Sequence, residues 1–190
     1  MSAPRLVTEP LGGSPLSRAA QEGQAPTDWF PSRPSSAAAW KARAERVQQE
    51  FGGPRWLAGL RPAFDASGLA AERLERVASQ NGIVITTGQQ PGLFGGPMYT
   101  ILKALSALAL ADRIEHDTGI PCAPVFWAAT DDGDFAEASW TAVAGEGKVH
   151  RLSIPRRGNE GVVMAEMPLG DTGEQFDQLV AAAGSAPHGA

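Results

Sequence analysis

The sequence predicts an α/β fold built on a parallel sheet, with further β-strands added toward its C-terminal end. Three observations carry that expectation. A β-branched run, IVITT at 83–87, ends in a loop rich in glycine and proline; a long apolar helical pattern follows as far as Gly119; and a second, continuously apolar run, APVFWAA, occupies 123–129. Strand, glycine loop, helix and strand form a βαβ unit, because parallel strands need a crossover of this kind. The unbroken apolar run fits a parallel strand covered on both faces. A right-handed crossover then brings the loop at 88–97 and the segment after Ala129 to the carboxyl edge of the sheet, where open α/β sheets bind their ligands.

The elements follow in order. Residues 1–34 are rich in Pro, Gly, Ser and Ala without a period of 2 or 3.6, so an N-terminal arm that docks loosely is expected. Residues 35–82 form a helical lead-in. Its first helix, 35–51, has a serine cap, Trp40, Val47 and Phe51 as an apolar side, and a Gly52-Gly53-Pro54 stop. Its second, 69–80, follows Ser67 and repeats Leu69, Leu74, Val77 and Ala78 at helical spacing before Asn81-Gly82. Residues 83–190 make a partial α/β domain. There Pro97 fits the first position of the crossover helix, Gly119 its end, and Ile101, Leu105 and Leu108 share one face. Beyond the second strand, 139–144, 148–155 and 162–169 read as strands and 173–183 as a final helix.

Composition narrows the function classes. A chain of 190 residues with 43% hydrophobic content fits one domain plus extensions. The net charge of −5 argues against nucleic-acid or anionic-membrane partners, and Arg156-Arg157 is too small a basic cluster to reverse that. One cysteine, Cys122, excludes a disulfide framework and a cysteine-rich structural zinc site, which makes the cytoplasm the expected compartment. The N-terminus lacks a signal-peptide core, and ILKALSALALA at 101–111 is too short to span a bilayer.

Two stretches bear chemistry. In TTGQQPGLFGGP, a loop feeding a helix N-terminus makes Thr87, Gly88, Gly92, Gly95 and Gly96 candidates for an anion or nucleotide site; the bland alternative is a tight turn. Neither G-x-G-x-x-G nor a P-loop Gly-Lys-Ser/Thr is present. Lys103 either reaches back toward a phosphate or lies over the solvent side of its helix. The second stretch, ATDDGDFAEA at 129–138, places Asp131, Asp132, Asp134 and Glu137 together, and their repulsion calls for a metal, a cation or open solvent. A hydrated Mg²⁺ bridging to phosphates or a substrate ammonium would meet that need. His116 is expected at the last helical carbonyls, His150 on the surface, His188 in a tail, Cys122 in the core, and Ser106 without a histidine to activate it.

TTGQQPGLFGGPMYTILKALSALALA followed by PVFWAATDDGDFAEA resembles the bacillithiol biosynthesis cysteine-adding enzyme family, BshC, whose members carry TGQQ-x-G-L-F-x-G-P-x-Y-T and then P-V-F-W with an acidic D-F segment. The match covers mainly 83–138. The resemblance implies a Rossmann-like core like that of class I nucleotidyltransferases, a C-terminal coiled coil, and an ATP-dependent ligase joining L-cysteine to glucosaminyl malate. It places Gln89, Gln90 and Asp134 at the chemistry, and Asp131 and Asp132 at Mg²⁺ or the cysteine ammonium. Phe94, Gly95, Gly96 and Pro97 match the HIGH positions without either histidine, and Asp131-Asp132-Gly133-Asp134-Phe135 lacks the histidine of the family's E-D-H-D-F. Family chains are much longer, so a fragment or truncated form is expected, with exposed apolar edges that favour self-association. The alternatives are another Rossmann-like nucleotidyltransferase and a non-catalytic nucleotide-binding remnant.

Overall fold

The computed structural model describes residues 12–51, 53, 55–145, 147–159 and 161–184. Part of the N-terminal arm and His188 lie outside them. Within the arm stands a helix that the composition did not signal, α1 (Pro15–Gln21), with Pro15 in its first turn and the Ser14 hydroxyl accepting from the Ser17 N–H at 3.2 Å. It buries no residue of its own.

Three helices occupy most of residues 37–79. Helix α2 (Ala37–Phe51) starts where the Ser36 hydroxyl accepts from the Ala39 N–H at 3.2 Å. Ala44 is buried, with Trp40 and Val47 packed around it, whereas Phe51 points to solvent. A short helix without a sequence signature, α3 (Trp56–Leu60), runs into a 3₁₀ turn and sets Trp56 edge-on to Phe64, with ring centroids 6.3 Å apart. Helix α4 (Gly68–Ser79) buries Leu74, Val77 and Ala78 but leaves Leu69 exposed, and Ser67 precedes it without a side-chain cap.

Strand β1 (Ile83–Gln89) runs two residues past the β-branched run. Helix α5 (Met98–Thr118) connects it to β2 (Cys122–Ala128), and the strands pair in parallel from Ile83↔Cys122 to Gln89↔Ala128. The predicted βαβ unit is therefore present. Alternate residues serve opposite layers, as a two-residue period requires. Ile83, Ile85 and Cys122 pack with Ala44 of α2 and Ala111 and Ile114 of α5, while Val84, Ala123 and Val125 pack with Leu57 of α3 and Leu74 and Val77 of α4. Helices thus cover both faces of the strands' first halves.

The structure orients α5 and changes two expectations, the cover of β2 and the place of Pro97. Helix α5 lays its small residues, Ala107 and Ala111, on the sheet, and turns Ile101, Leu105 and Leu108 outward at 56%, 54% and 41% exposure. Strand β2 is covered only at its start, and Trp127 near its end is 60% exposed. Pro97 stands one position before the helix, as its N-cap, with φ −68° and ψ 156°. Gly119 closes α5 in the left-handed conformation, its N–H on the Glu115 carbonyl.

After the short helix α6 (Phe135–Ala138), β3 (Trp140–Gly145) and β4 (Lys148–Ser153) pair as an antiparallel hairpin separate from the parallel sheet. Helix α7 (Gly173–Gly184) packs on that hairpin. The strand expected at 162–169 is not formed; a 3₁₀ turn, Met164–Glu166, takes its place. Its backbone is used otherwise: the Met164 N–H donates to the Asp132 carbonyl at 2.9 Å and the Ala165 N–H to the Thr130 carbonyl at 3.1 Å, which fixes the acidic loop.

Candidate functional site

The parallel register brings both chemistry-bearing stretches to one edge. Gly88 ends opposite Trp127, and a Cβ there would meet the Trp127 carbonyl oxygen at 2.7 Å, so the strand end closes only around glycine. The Ala129 N–H then donates to the Gln89 carbonyl at 3.1 Å. Thr87 lies within β1 opposite Phe126.

The loop after β1 folds on itself. A Cβ on Gly92 would stand 2.7 Å from the Gly96 Cα, and Gly96 itself has φ 74° and ψ −159°, a region open to glycine alone. The Gly95 N–H donates to the Gly92 carbonyl at 2.9 Å and the Gly96 N–H to the Leu93 carbonyl at 3.1 Å. These glycines therefore shape the loop, and Gly95 and Gly96 use their own donors within it. The N–H groups that start α5 without a partner among the described residues belong to Met98 and Tyr99, since the Thr100 N–H turns back to the Pro97 carbonyl at 2.9 Å. Phe94 and Pro97, at the ends of the HIGH-like positions, form the tip and the cap: Phe94 has φ 52° and lies 6.5 Å from the Phe176 ring centroid.

Both glutamines acquire charged partners. Lys103 Nζ donates to Gln89 Oε1 at 2.8 Å and to the Gly88 carbonyl at 3.2 Å, with its ammonium 5.3 Å from the centre of the Tyr99 ring. Tyr99, the tyrosine of the P-x-Y-T end of the motif, was not among the candidate residues; it stands one helical turn before Lys103. On the other side, Gln90 Nε2 donates to Asp132 Oδ2 and joins the two loops directly. Asp132 Oδ1 accepts from the Asp134 N–H at 2.9 Å, and Asp134 Oδ1 accepts from the Glu137 N–H at 3.1 Å as the cap of α6. The Asp134 N–H, and after it the Gln90 amide, hold the Asp132 carboxyl below its usual range.

The acidic residues do not converge. Among the described residues no group of three His, Cys, Asp or Glu side chains is placed to hold a metal ion. A metal held by protein alone does not fit this donor set; Mg²⁺ held mainly by phosphates and water, with a single carboxylate such as Asp131, does. Beside the glycine loop lies an apolar cavity of about 260 Å³, walled by Gly92, Leu93 and Phe94 on one side and Phe135, Ile154 and Met164 on the other.

A larger cleft, about 580 Å³, lies at the opposite edge between α4 and α5. Four of its charged groups pair with one another: Arg76 donates to both Glu115 oxygens at 2.6 and 3.1 Å, and Arg73 reaches Asp112 and the Cys122 carbonyl, both at 2.6 Å. This is a clamp at the amino edge of β2, away from the edge where such sheets bind ligands. The remaining candidates are structural. His116 pairs with the Asp117 carboxylate at 2.9 Å rather than with helix carbonyls, and His150 has Nε2 buried instead of lying on the surface. Cys122 is buried, which pushes its thiol up to about 11.

Comparison with known proteins points to one family. The family model for the bacillithiol biosynthesis BshC N-terminal Rossmann-like domain matches residues 18–189. A protein of Heliobacterium modesticaldum named "Putative cysteine ligase BshC" is 48% identical over 97 residues, 51% of this chain and 18% of its own. Proteins of the same name from Geobacillus thermodenitrificans and Geobacillus kaustophilus are 33% identical over 124 residues and 37% over 106, covering 65% and 56% of this chain. The matched stretch is 23% and 20% of those two relatives, so the chain spans about a fifth of the length of the curated relatives it matches.

Proposed function

The chain belongs to the family of BshC N-terminal Rossmann-like domains of bacillithiol biosynthesis, and from that premise we propose that it forms the nucleotide-facing part of an ATP-dependent cysteine ligase. The observation that carries this reading is the pair of polar bridges at the strand ends, Lys103 to Gln89 and Gln90 to Asp132, set beside the start of α5. They bring amide and ammonium donors and a carboxylate to the edge where α/β sheets bind ligands. The reaction joins the cysteine carboxylate to the amine of glucosaminyl malate in a nucleotidyltransferase-like core, within the cytoplasm.

Two steps balance that reaction. A cysteine carboxylate oxygen attacks a phosphorus of ATP, giving an acyl phosphate with release of ADP or an acyl adenylate with release of pyrophosphate. The sugar amine then attacks the carbonyl carbon; the C–N bond forms, the C–O bond to phosphate or AMP breaks, and the amine loses its proton to solvent or a base. Donors aimed at the developing charge lower both barriers. Gln89, the Met98 and Tyr99 N–H groups and the third N–H of Lys103 are the donors in this reading. Thr87, Gly88, Gly92, Gly95 and Gly96 shape the nucleotide-facing wall, while Gln90, Asp131, Asp132 and Asp134 form its acidic side. Bound Mg²⁺ would offset phosphate charge, with Asp131 as its protein ligand.

The test is amide formation from cysteine and glucosaminyl malate by the full-length protein, followed by mass spectrometry with ADP and AMP measured together. Gln89→Ala is expected to lower product formation at least about tenfold with an unchanged far-UV spectrum, the effect of losing one charge-stabilising donor. For Asp134, Asn keeps the α6 cap while removing charge, so Asp134→Asn separates a chemical role from a structural one. Wild-type rates in both variants would remove these residues from the mechanism.

A further inference from the structure

Gln89 and Gln90 are adjacent and chemically alike, yet their partners give them opposite polarity. A lysine ammonium has only donors, so the Gln89 amide atom 2.8 Å from Lys103 Nζ is its oxygen. That leaves the Gln89 NH₂ as the group available to a ligand. An ionised carboxylate only accepts, so Gln90 meets Asp132 Oδ2 through its nitrogen. The Asp134 N–H, 2.9 Å from the other Asp132 oxygen, holds that carboxylate in place. Among the described residues, Gln90 Oε1 has no donor, and it is the acceptor left at the strand end. Through these partners Gln89, the last residue of β1, lies toward α5, and Gln90, the first residue past it, toward the 131–134 loop.

We propose that Lys103 and Asp132 are positioning residues that fix Gln89 as a hydrogen-bond donor and Gln90 as an acceptor, so that the β1 end selects a zwitterionic α-amino acid, carboxylate on Gln89 and ammonium on Gln90. This rests on the ligase reading and adds to it the direction in which the amino acid lies: the carboxylate that is activated faces α5 and its N-terminal donors, and the ammonium faces the acidic loop. It also gives Lys103 a task that does not depend on nucleotide.

Three probes separate the two halves of the site: cysteine, 3-mercaptopropionate, which lacks the amine, and cysteamine, which lacks the carboxylate. Calorimetry on the full-length protein is expected to show Gln89→Met weakening cysteine and 3-mercaptopropionate by about tenfold, a lost hydrogen bond to a charged group, and sparing cysteamine. Gln90→Met is expected to weaken cysteine and cysteamine to a similar degree and spare 3-mercaptopropionate. Lys103→Met should follow the first pattern and Asp132→Ala the second. Equal weakening of all three probes, or the reversed pattern, overturns the assignment.

A second measurement needs no ligand. In ¹⁵N spectra, Lys103→Met should move the Gln89 side-chain NH₂ signals and not those of Gln90, and Asp132→Ala should do the converse; movement of both pairs in either variant overturns the fixed polarity. Ligation activity without the probe pattern defeats this inference alone. A wild-type protein that binds no cysteine defeats the ligase reading and the amino-acid assignment with it.

Discussion

Gly88 shows how a single residue decides the site. Its hydrogen lies where a Cβ would stand 2.7 Å from the Trp127 carbonyl oxygen and 2.9 Å from the Trp127 Cβ. Backbone cannot yield as a flexible side chain can, so Gly88→Ala is expected to lower stability by about 1–3 kcal/mol, the usual cost of overpacking. Urea denaturation measures it, and an unchanged midpoint would mean that the strand ends are not this close. Gly95 is glycine for a different reason, since a Cβ there meets nothing but φ is 89°. Cys122 makes the second prediction at this scale. Burial raises its thiol to about 11, so it should resist a thiol reagent at neutral pH in the native protein and react once unfolded. A raised thiol contributes stability fully below its unfolded value and loses it as pH rises toward about 11. Fast native labelling at neutral pH would contradict both its burial and its core role.

Among the elements, α5 was the easiest to find, but its sequence did not say which face turns inward. Its ends were legible in Pro97 and Gly119, because both act through local backbone geometry. Its inward face was not, because leucines and isoleucines outweigh alanines in any hydrophobic pattern. The structure packs Ala107 and Ala111 on the sheet because small side chains let the helix axis approach closely, and Ile114 completes that face. At its C-terminal end, the Arg76–Glu115 pair and the Glu115 bond to the Cys122 N–H at 3.1 Å tie α4, α5 and β2 together. The Arg76 guanidinium holds the Glu115 carboxyl below its ordinary value. Its contribution is therefore complete above that value and is lost as pH falls through the lowered one. Glu115→Gln should cost about 1–2 kcal/mol at neutral pH and flatten the acid limb of the stability profile below the ordinary carboxylate value. Urea melts across that range test it, and parallel profiles for variant and wild type would show that the clamp does not hold the edge together.

For the molecule as a whole, the outward face of α5 and the exposed end of β2 stand out. Ile101, Leu102 and Leu105 of α5 are each more than half exposed, and so is Trp127 on the other side of the sheet; exposed large apolar side chains grouped as on α5 are uncommon on a chain that stays monomeric. The 190-residue chain is expected to self-associate with rising concentration, and Ile101→Lys with Leu105→Glu should return it to a monomer with an unchanged thermal melt. Sedimentation velocity decides the matter; a wild-type chain that remains monomeric at high concentration refutes the expectation. Among the described residues no helix is long and apolar enough to cross a membrane, so this face is not a transmembrane span.

The sequence by itself determined the order of strand, glycine loop, helix and strand, the helical lead-in, and the placement of TTGQQ and TDDGD at the two strand ends. Those features follow from local periodicity and from backbone restrictions that each residue carries with it. Only the tertiary structure decided which face of α5 turns inward, that 162–169 braces the acidic loop instead of forming a strand, and that Lys103 and Asp132 give neighbouring glutamines opposite polarity. Each of these depends on contacts between residues far apart in sequence. Gln90 and Asp132 are 42 positions apart and Gln89 and Lys103 are 14 apart. A side chain's partner across such a gap is set by strand register and helix docking, and neither is written in any one stretch of the chain.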